Sequence, residues 1–389
     1  MEDRVTNLPD ELLCHILSFL PTKEAIATTI LSKRWTNLWR SVSTLDFNDS
    51  TYGGDKHSRF IQSVYAVLLS RNLNQPIKKF RLRCSIRPSL LDSDYASFWV
   101  DAVLQRRAEH IDISLPFVSP IRVHSNLCFF NCRTLVVLKL KGIGLNLKHF
   151  SSVVELPLVK VLHMQTVLLP DCGSFADILT GCPVLEDLKA RNLYFTKYDN
   201  EREFNILPKL VGAEISWEPL DIFMVKLVNN VNFLRIRDID FRLLPYGGED
   251  IDMFHNLTRV ELVYTGHTHD WLDVVEFLKY CPKLQVLVIK QPQVDGYYTV
   301  GELRGNDWQY PSSVPKCILF HLKECYLNNY RGTKGEFKFA RYIMRNGRFL
   351  KKMTICKCTA VKQLGKPNDI KKLFSCSARS ATCKLYFKI

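Results

Sequence analysis

Three clusters hold the residue types from which a ligating or reactive site is ordinarily built. In His267-Thr268-His269-Asp270 two imidazoles stand at i and i+2, with Asp270 or His255 as a third metal ligand. The same residues lead into an apolar helical stretch at Trp271, which Thr268 or Asp270 can cap. With no fixed ligand set around it, capping explains the cluster without a metal. Cys356-Lys357-Cys358 sets two thiols on one face of a strand beside lysines that lower a thiol pKa. No histidine or second pair accompanies them, so a packed or solvated strand pair accounts for them better. Cys182-Pro-Val-Leu185 and Cys281-Pro-Lys-Leu284 share one signature ahead of a strand, where proline ends a helix and the cysteine packs inward.

No phosphate-cradling glycine loop, nucleophile elbow or paired-histidine zinc helix occurs. Gly53-Gly54 and Gly247-Gly248 read as surface loops. Nothing assembles an acid, a base and a nucleophile, so the expectation is a non-catalytic chain with no cofactor and no metal.

The charge is informative once located. Of the formal +14, residues Lys316 to Ile389 carry 18 Lys and Arg against Glu324, Glu336 and Asp369, which leaves the preceding chain near neutral. Lys338, Arg341, Arg345, Arg348, Lys351 and Lys352 form its densest part. Arg341, Arg345 and Arg348 at i, i+4 and i+7 fit one helix face. Such a face can meet an acidic protein, an inositol phosphate or nucleic acid. Without a nucleic-acid motif, a solvated face that keeps the end of the fold soluble is preferred. The interleaved Phe337, Phe339, Tyr342 and Phe349 suit core packing equally well.

Hydrophobic residues at 47% and charged residues at 24% are ordinary for a soluble globular protein. The 13 cysteines are scattered, as expected of buried thiols in a reducing compartment. No apolar run reaches membrane-spanning length, and the start, with Glu2 and Asp3, lacks a secretory signal core. The glycosylation patterns at Asn48-Asp-Ser50 and Asn256-Leu-Thr258 therefore carry no meaning here. The expected location is cytosol or nucleus.

One pattern organises most of the chain: apolar-x-x-apolar-x-apolar, then a turn or short helix. It occurs at Val42/Leu45/Phe47, Ile77/Phe80/Leu82, Ala108/Ile111/Ile113 and Leu135/Leu138/Leu140. It returns at Val159/Leu162/Met164, Leu185/Leu188/Ala190, Leu210/Ala213/Ile215 and Val231/Leu234/Ile236. The last set is Leu257/Val260/Leu262, Leu284/Leu287/Ile289, Leu322/Cys325/Leu327 and Leu350/Met353/Ile355. From Leu135 to Leu284 the units run about 21 to 27 residues, the spacing of leucine-rich repeats. Each supplies a short strand that buries its apolar face only by stacking on its neighbours. Helical returns are expected near Phe60–Arg71, Asp94–Ala108, Asp270–Tyr280 and Lys334–Arg345. The repeats are degenerate and mostly lack an asparagine ladder, which predicts an irregular, curved solenoid.

Ahead of the repeats, Leu12, Leu13, Ile16, Leu17 and Leu20 recur at helical spacing. Asn7 is a candidate cap, Pro9 sits in the first turn and Pro21 stops the helix. Thr22 is a candidate cap for a second helix with Ala25, Ile26, Thr29 and Ile30. A third short turn brings in Trp35, Leu38 and Trp39. Some 40 residues cannot bury so much apolar surface alone. These helices either cap the repeat stack or dock on another protein.

Leu8-Pro9-Asp10-Glu11-Leu12-Leu13, Ile16-Leu17-Ser18-Phe19-Leu20-Pro21, Leu31-Ser32-Lys33-Arg34-Trp35 and Trp39 closely resemble an F-box. That three-helix module binds the Skp-type adaptor of cullin–RING ubiquitin ligases. The resemblance implies that Leu8, Pro9, Leu12, Ile16, Leu17, Leu20 and Pro21 face the adaptor while Trp35 and Trp39 pack the module. Cys14 and His15 stand where the motif is permissive. The middle resembles the leucine-rich repeats that follow F-boxes in a large plant family. Val314-Pro315-Lys-Cys317, His321-Leu-Lys-Glu324, Tyr330-Arg-Gly-Thr-Lys-Gly335-Glu336, Ala340-Arg-Tyr-Ile343, Asn346 and Leu350-Lys-Lys-Met353-Thr-Ile355 resemble the FBD domain that ends such proteins.

The expectation is therefore an α/β chain with an F-box-like module at 1–47, a degenerate solenoid at 48–313 and a basic FBD-like segment at 314–389. Its implied partners are the adaptor, through it cullin and RING subunits, and a target protein on the repeats, with no membrane. The alternatives are a repeat scaffold outside any ligase, and a phosphate or nucleic-acid binder built on the basic end.

Overall fold

The computed structural model describes residues 5, 7–52, 56–72, 74–85, 93–116, 122–123, 128–145, 154–197, 207–216, 227–237, 254–264, 271–291, 311, 313–358, 373 and 378–388. The chain forms two compact units, Met1–Asn205 and Ile206–Ile389.

The first unit opens on helix α1 (Asp10–Leu17). The expected cap at Asn7 is not used: Pro9, with φ −57° and ψ 151°, occupies the cap position and makes no side-chain cap bond. Proline's missing N–H costs nothing there, because the first turn has no intrahelical acceptors. Asp10 and Glu11 then meet the positive end of the helix dipole. Past Leu17 the turn tightens, with Phe19 N–H donating to the Ile16 carbonyl and Leu20 N–H to that of Leu17. Pro21 takes the cap position of α2 (Thr22–Ala27). Thr22, expected as that cap, is instead the first helical residue and nearly buried; its hydroxyl accepts from Asp46 N–H at 2.7 Å.

Helix α3 (Leu38–Ser41) closes the module. Leu13, Leu17, Ala25, Trp35, Leu38 and Val42 form its core, with Leu8, Cys14, Leu20 and Trp39 packed against it. Hydrogen bonds tie the module to the first repeat. Arg71, 4% exposed, donates to the carbonyls of Trp39 and Val42, and Lys23 donates to the Thr51 carbonyl.

The strands of this unit are β1 (Thr44–Asn48), β2 (Lys79–Arg83), β3 (His110–Ser114), β4 (Arg122–Val123), β5 (Val137–Leu145), β6 (Val161–Leu169) and β7 (Asp187–Phe195). All the described pairings are parallel, in the order β1-β2-β3-β5-β6-β7, with β4 beside β5. Helices α4 (Lys56–Leu69), α5 (Ser93–Leu104) and α6 (Cys172–Thr180) are returns between strands, as parallel pairing requires. The second unit repeats the plan in sequence order with β8 (Gly212–Ser216), β9 (Phe233–Arg237), β10 (Arg259–Val263), β11 (Val286–Lys290), β12 (Glu324–Tyr330), β13 (Lys352–Lys357) and β14 (Lys384–Lys388). Its helices are α7 (Trp271–Lys279), α8 (Lys316–Phe320) and α9 (Lys334–Asn346).

Every apolar triplet read from the sequence is buried at all three positions, the last two on a strand and the first just ahead of it. The register shows why. Leu45, Phe80, Ile111, Leu138, Leu162 and Leu188 lie side by side across the first sheet, and Phe47, Leu82, Ile113, Leu140, Met164 and Ala190 form the next row. Ala213, Leu234, Val260, Leu287, Cys325, Met353 and Leu385 form the matching row of the second unit. Period-2 alternation sends these rows to one face and the intervening residues to the other. Each unit is an open parallel stack wound in sequence order, the architecture of a leucine-rich-repeat solenoid.

Two features went unforeseen. β14 continues the apolar rows with Leu385 and Phe387, although its flanking Lys384 and Lys388 look like a loop. β5, β6 and β7 are nine residues long, and each carries one residue of left-handed backbone at an equivalent place. Gly142, Thr166 and Asn192 occupy these places with φ of 72°, 55° and 50°. Pairing skips them and resumes at Ile143, Val167 and Leu193.

Candidate functional site

Helix α1 has two apolar faces. Leu13 and Leu17, one turn apart, are 0% and 1% exposed and fill the module core. Leu12 and Ile16 face solvent at 49% and 45%, and Phe19, just past the helix, is 75% exposed. The short turn at Thr28–Ile30 adds Ile30 and Leu31, also exposed. Five exposed large hydrophobic side chains on so small a module are the surface a docking partner would need.

The surface is held from within. Arg34 pairs with Asp10 at 2.6 Å and donates to the Leu8 carbonyl, tying the segment before Trp35 to the start of α1. Trp35 is buried and Trp39 half-buried against the core, so both pack the module. The His15 and Phe19 rings meet edge to face at 5.0 Å.

Among the residues expected to face an adaptor, Pro9, Leu12 and Ile16 are exposed, while Leu8, Leu20 and Pro21 are half-buried. Leu17 is enclosed in the module core and presents no surface in this structure. Phe19, Ile30 and Leu31 were missed. The run Ile16-Leu17-Ser18-Phe19-Leu20 is apolar almost throughout, and only the place where α1 ends decides which members turn outward.

The other candidates resolve by placement. Cys182 and Cys281 are fully buried, and burial pushes the Cys182 thiol up to about 12 and the Cys281 thiol well above its ordinary value. The Cys281 thiol faces the Phe277 carbonyl at 3.6 Å. Both are packing residues. Cys358 is buried and Cys356 half-buried beside it in sequence. The cluster His267–Asp270 and both Gly-Gly pairs lie outside the described residues, save for Asp270's neighbour Trp271 at the start of α7. Among the described residues no group of three or more His, Cys, Asp or Glu is placed to hold a metal.

At the basic end, α9 stops at Asn346, so Arg348 lies beyond the helix and the three arginines do not share one helical face. Phe339 and Tyr342 point into the core, with Phe339 and Trp271 ring centroids 4.5 Å apart. Lys352 lies over the Tyr326 and Tyr386 rings at 5.3 and 5.7 Å, a cation–π arrangement. No helix among the described residues is long and apolar enough to cross a membrane.

A three-helix module with a partner-ready apolar face, followed by stacked repeats, defines the class of F-box proteins that carry leucine-rich repeats. Family models agree at both ends: the F-box domain matches residues 5–46 and the FBD domain residues 309–355. The Arabidopsis thaliana protein named F-box/FBD/LRR-repeat protein At4g26340 is 30% identical across 99% of this chain and 100% of its own length. FBD-associated F-box protein At3g52670 of the same plant is 29% identical over 91% of this chain and 88% of its own. F-box/FBD/LRR-repeat protein At4g00160, again from Arabidopsis thaliana, is 29% identical over 91% and 86%. The chain belongs to the F-box/FBD/LRR-repeat family.

Proposed function

We propose that this chain is the substrate-recruiting subunit of a Skp–cullin–F-box ubiquitin ligase. The exposed face of the first module carries the reading. Leu12, Ile16 and Phe19 lie outside the module's own core and unburied by the first repeat. Pro9 and the partly covered Leu8, Leu20 and Pro21 border that face and complete the adaptor contact, while Leu17 supports it from beneath. The module is taken as residues 1–47, the solenoid as 48–313 and the basic end as 314–389.

The chemistry belongs to the partners. The chain holds a target on its repeats and, through the adaptor, brings it to cullin and RING subunits. Holding two reactants together replaces a bimolecular encounter by a local one at high effective concentration. A non-catalytic receptor working in cytosol or nucleus needs nothing more. The attachment of the module to the first repeat, through Arg71 and Thr22, serves that purpose by fixing where the first repeats stand relative to the adaptor.

Reconstitution tests this. Purified chain mixed with Skp-type adaptor, cullin and RING subunit is expected to co-elute with all three on gel filtration, and to lose cullin and RING when the adaptor is left out. Cullin retained without adaptor, or no complex at all, would sink the assignment.

A further inference from the structure

The outward strand face of the second unit holds a recess of about 510 Å³. Arg235 and Arg237 of β9, Arg259 of β10 and Lys290 at the end of β11 line one part of it, and Val288 and Tyr326 the part towards β12. A volume of this size takes several side chains or a small organic molecule, more than a lone phosphate.

The cations outnumber what the fold needs. Two nearly buried carboxylates stand among them, Glu261 at 9% and Glu214 at 7% exposure. Arg259 donates from Nε and Nη2 to Glu261 Oε1 at 3.1 and 2.6 Å. Arg235 donates from Nε to Glu261 Oε2 at 2.7 Å. Arg237 donates from Nε to Glu214 Oε1 at 3.0 Å. One arginine per glutamate would satisfy both acids. Here three arginines share two carboxylates, and Lys290 pairs with no carboxylate among the described residues. Each glutamate grips its arginines by one guanidinium edge, and Nη1 of Arg237 and Arg259 stays outside these pairs. Planar donors fixed in this way are pre-organised for a further oxyanion.

We propose that this recess binds an acidic segment of the target polypeptide. A carboxylate side chain enters between Arg237, Arg259 and Lys290, and a neighbouring apolar side chain packs on Val263 and Val288. Charge complementarity selects the occupant: the cations of β9, β10 and the end of β11 sit around Glu261, while Val263, Val288, Tyr326 and Asn328 make the rest of the lining neutral or apolar. A polyanion with regular charge, such as nucleic acid, would lay its next phosphates over Val263 and Val288. A mixed acidic and apolar peptide matches both parts. The proposal rests on the reading of the repeats as the target-holding part of the chain.

Fluorescence anisotropy on the full chain tests it, with a fluorescein-labelled peptide of alternating glutamate and leucine as probe and its glutamine analogue as control. The glutamate peptide is expected to bind with an affinity that falls with salt, and the glutamine peptide not to bind. Lys290→Glu, at an exposed position, and Arg259→Gln should each weaken binding by about tenfold, the loss of one charge-assisted contact. Arg345→Glu on α9 makes the same charge change as Lys290→Glu outside the recess and should leave affinity within about twofold. Equal binding of both peptides, or equal loss in Arg345→Glu and Lys290→Glu, would overturn the proposal. So would displacement of the peptide by a single-stranded oligonucleotide at far lower concentration than by free unlabelled peptide. Adaptor capture is read separately on the intact chain; its absence there would count against the ligase reading and leave the recess standing.

Discussion

Ile16 and Leu17 are adjacent, equally apolar and opposite in fate. Helical geometry turns successive side chains by about 100°, so one faces the module core and its neighbour faces water. The sequence showed that this run is helical; it could not show which stripe the core takes, because Leu12, Leu13, Ile16, Leu17 and Leu20 offer two stripes of similar quality. The consequence is measurable. Leu17→Ala removes a fully enclosed side chain and should cost roughly 2–5 kcal/mol of stability, whereas Ile16→Ala should stay within about 0.5 kcal/mol; urea unfolding midpoints of the two variants decide it. Acid provides a second test. Burial raises the Glu261 carboxyl pKa, but hydrogen bonds from Arg259 and Arg235 more than offset it, so the group titrates below its ordinary 4.5 in the fold. The unfolded chain therefore takes up the proton first on acidification. The stability this pairing contributes is complete above about pH 4.5 and is lost as pH falls through the folded value. Urea midpoints stepped from neutral to acid pH should fall less steeply below pH 4.5 in Glu261→Gln than in the parent chain.

At the scale of the element, the strand rows were the most legible part of the chain. Each triplet places its apolar residues where a period-2 strand buries them, and the pattern recurs too often to belong to helices. β14 escaped because the first position of its triplet is Thr382, so that Leu385 and Phe387 stand without an apolar anchor. The left-handed residues escaped because a local change of backbone conformation leaves no trace in hydrophobicity. At the three equivalent sites the chain uses Gly142, Asn192 and Thr166. Glycine and asparagine tolerate positive φ, but β-branched Thr166 is strained there. Thr166→Asn is therefore expected to raise stability by about 1 kcal/mol, seen as a higher unfolding midpoint. A lower midpoint would mean that the threonine side chain contributes more than its backbone costs. The helix ends taught a related lesson. Asn7 and Thr22 have good capping chemistry, yet Pro9 and Pro21 take the cap positions, because a proline at the helix entrance fixes the chain's entry direction.

At the scale of the whole molecule, the order of module, repeats and basic end was readable because each leaves its own signature: a compact apolar motif, a recurring triplet and a charge shift. The recess on the second unit left none. Arg235, Arg237, Arg259 and Lys290 come from three successive strands and in the sequence look like isolated solvated cations. Stacking alone brings them together. The same holds for the proposed docking face, whose members Leu12, Ile16, Phe19, Ile30 and Leu31 are distinguished only by what the fold leaves uncovered. The proposed function stands or falls with that face, and one measurement tests it most directly: titration calorimetry of purified Skp-type adaptor against the full chain and against Leu12→Asp/Ile16→Asp, with circular dichroism on both. Because the two changed residues lie outside the module core, the variant should keep its spectrum while adaptor affinity falls by about a hundredfold or more. A folded variant that binds as tightly as the intact chain would contradict the assignment of this face. An intact chain that does not bind the adaptor at all would reduce the helices to a cap on the repeat stack.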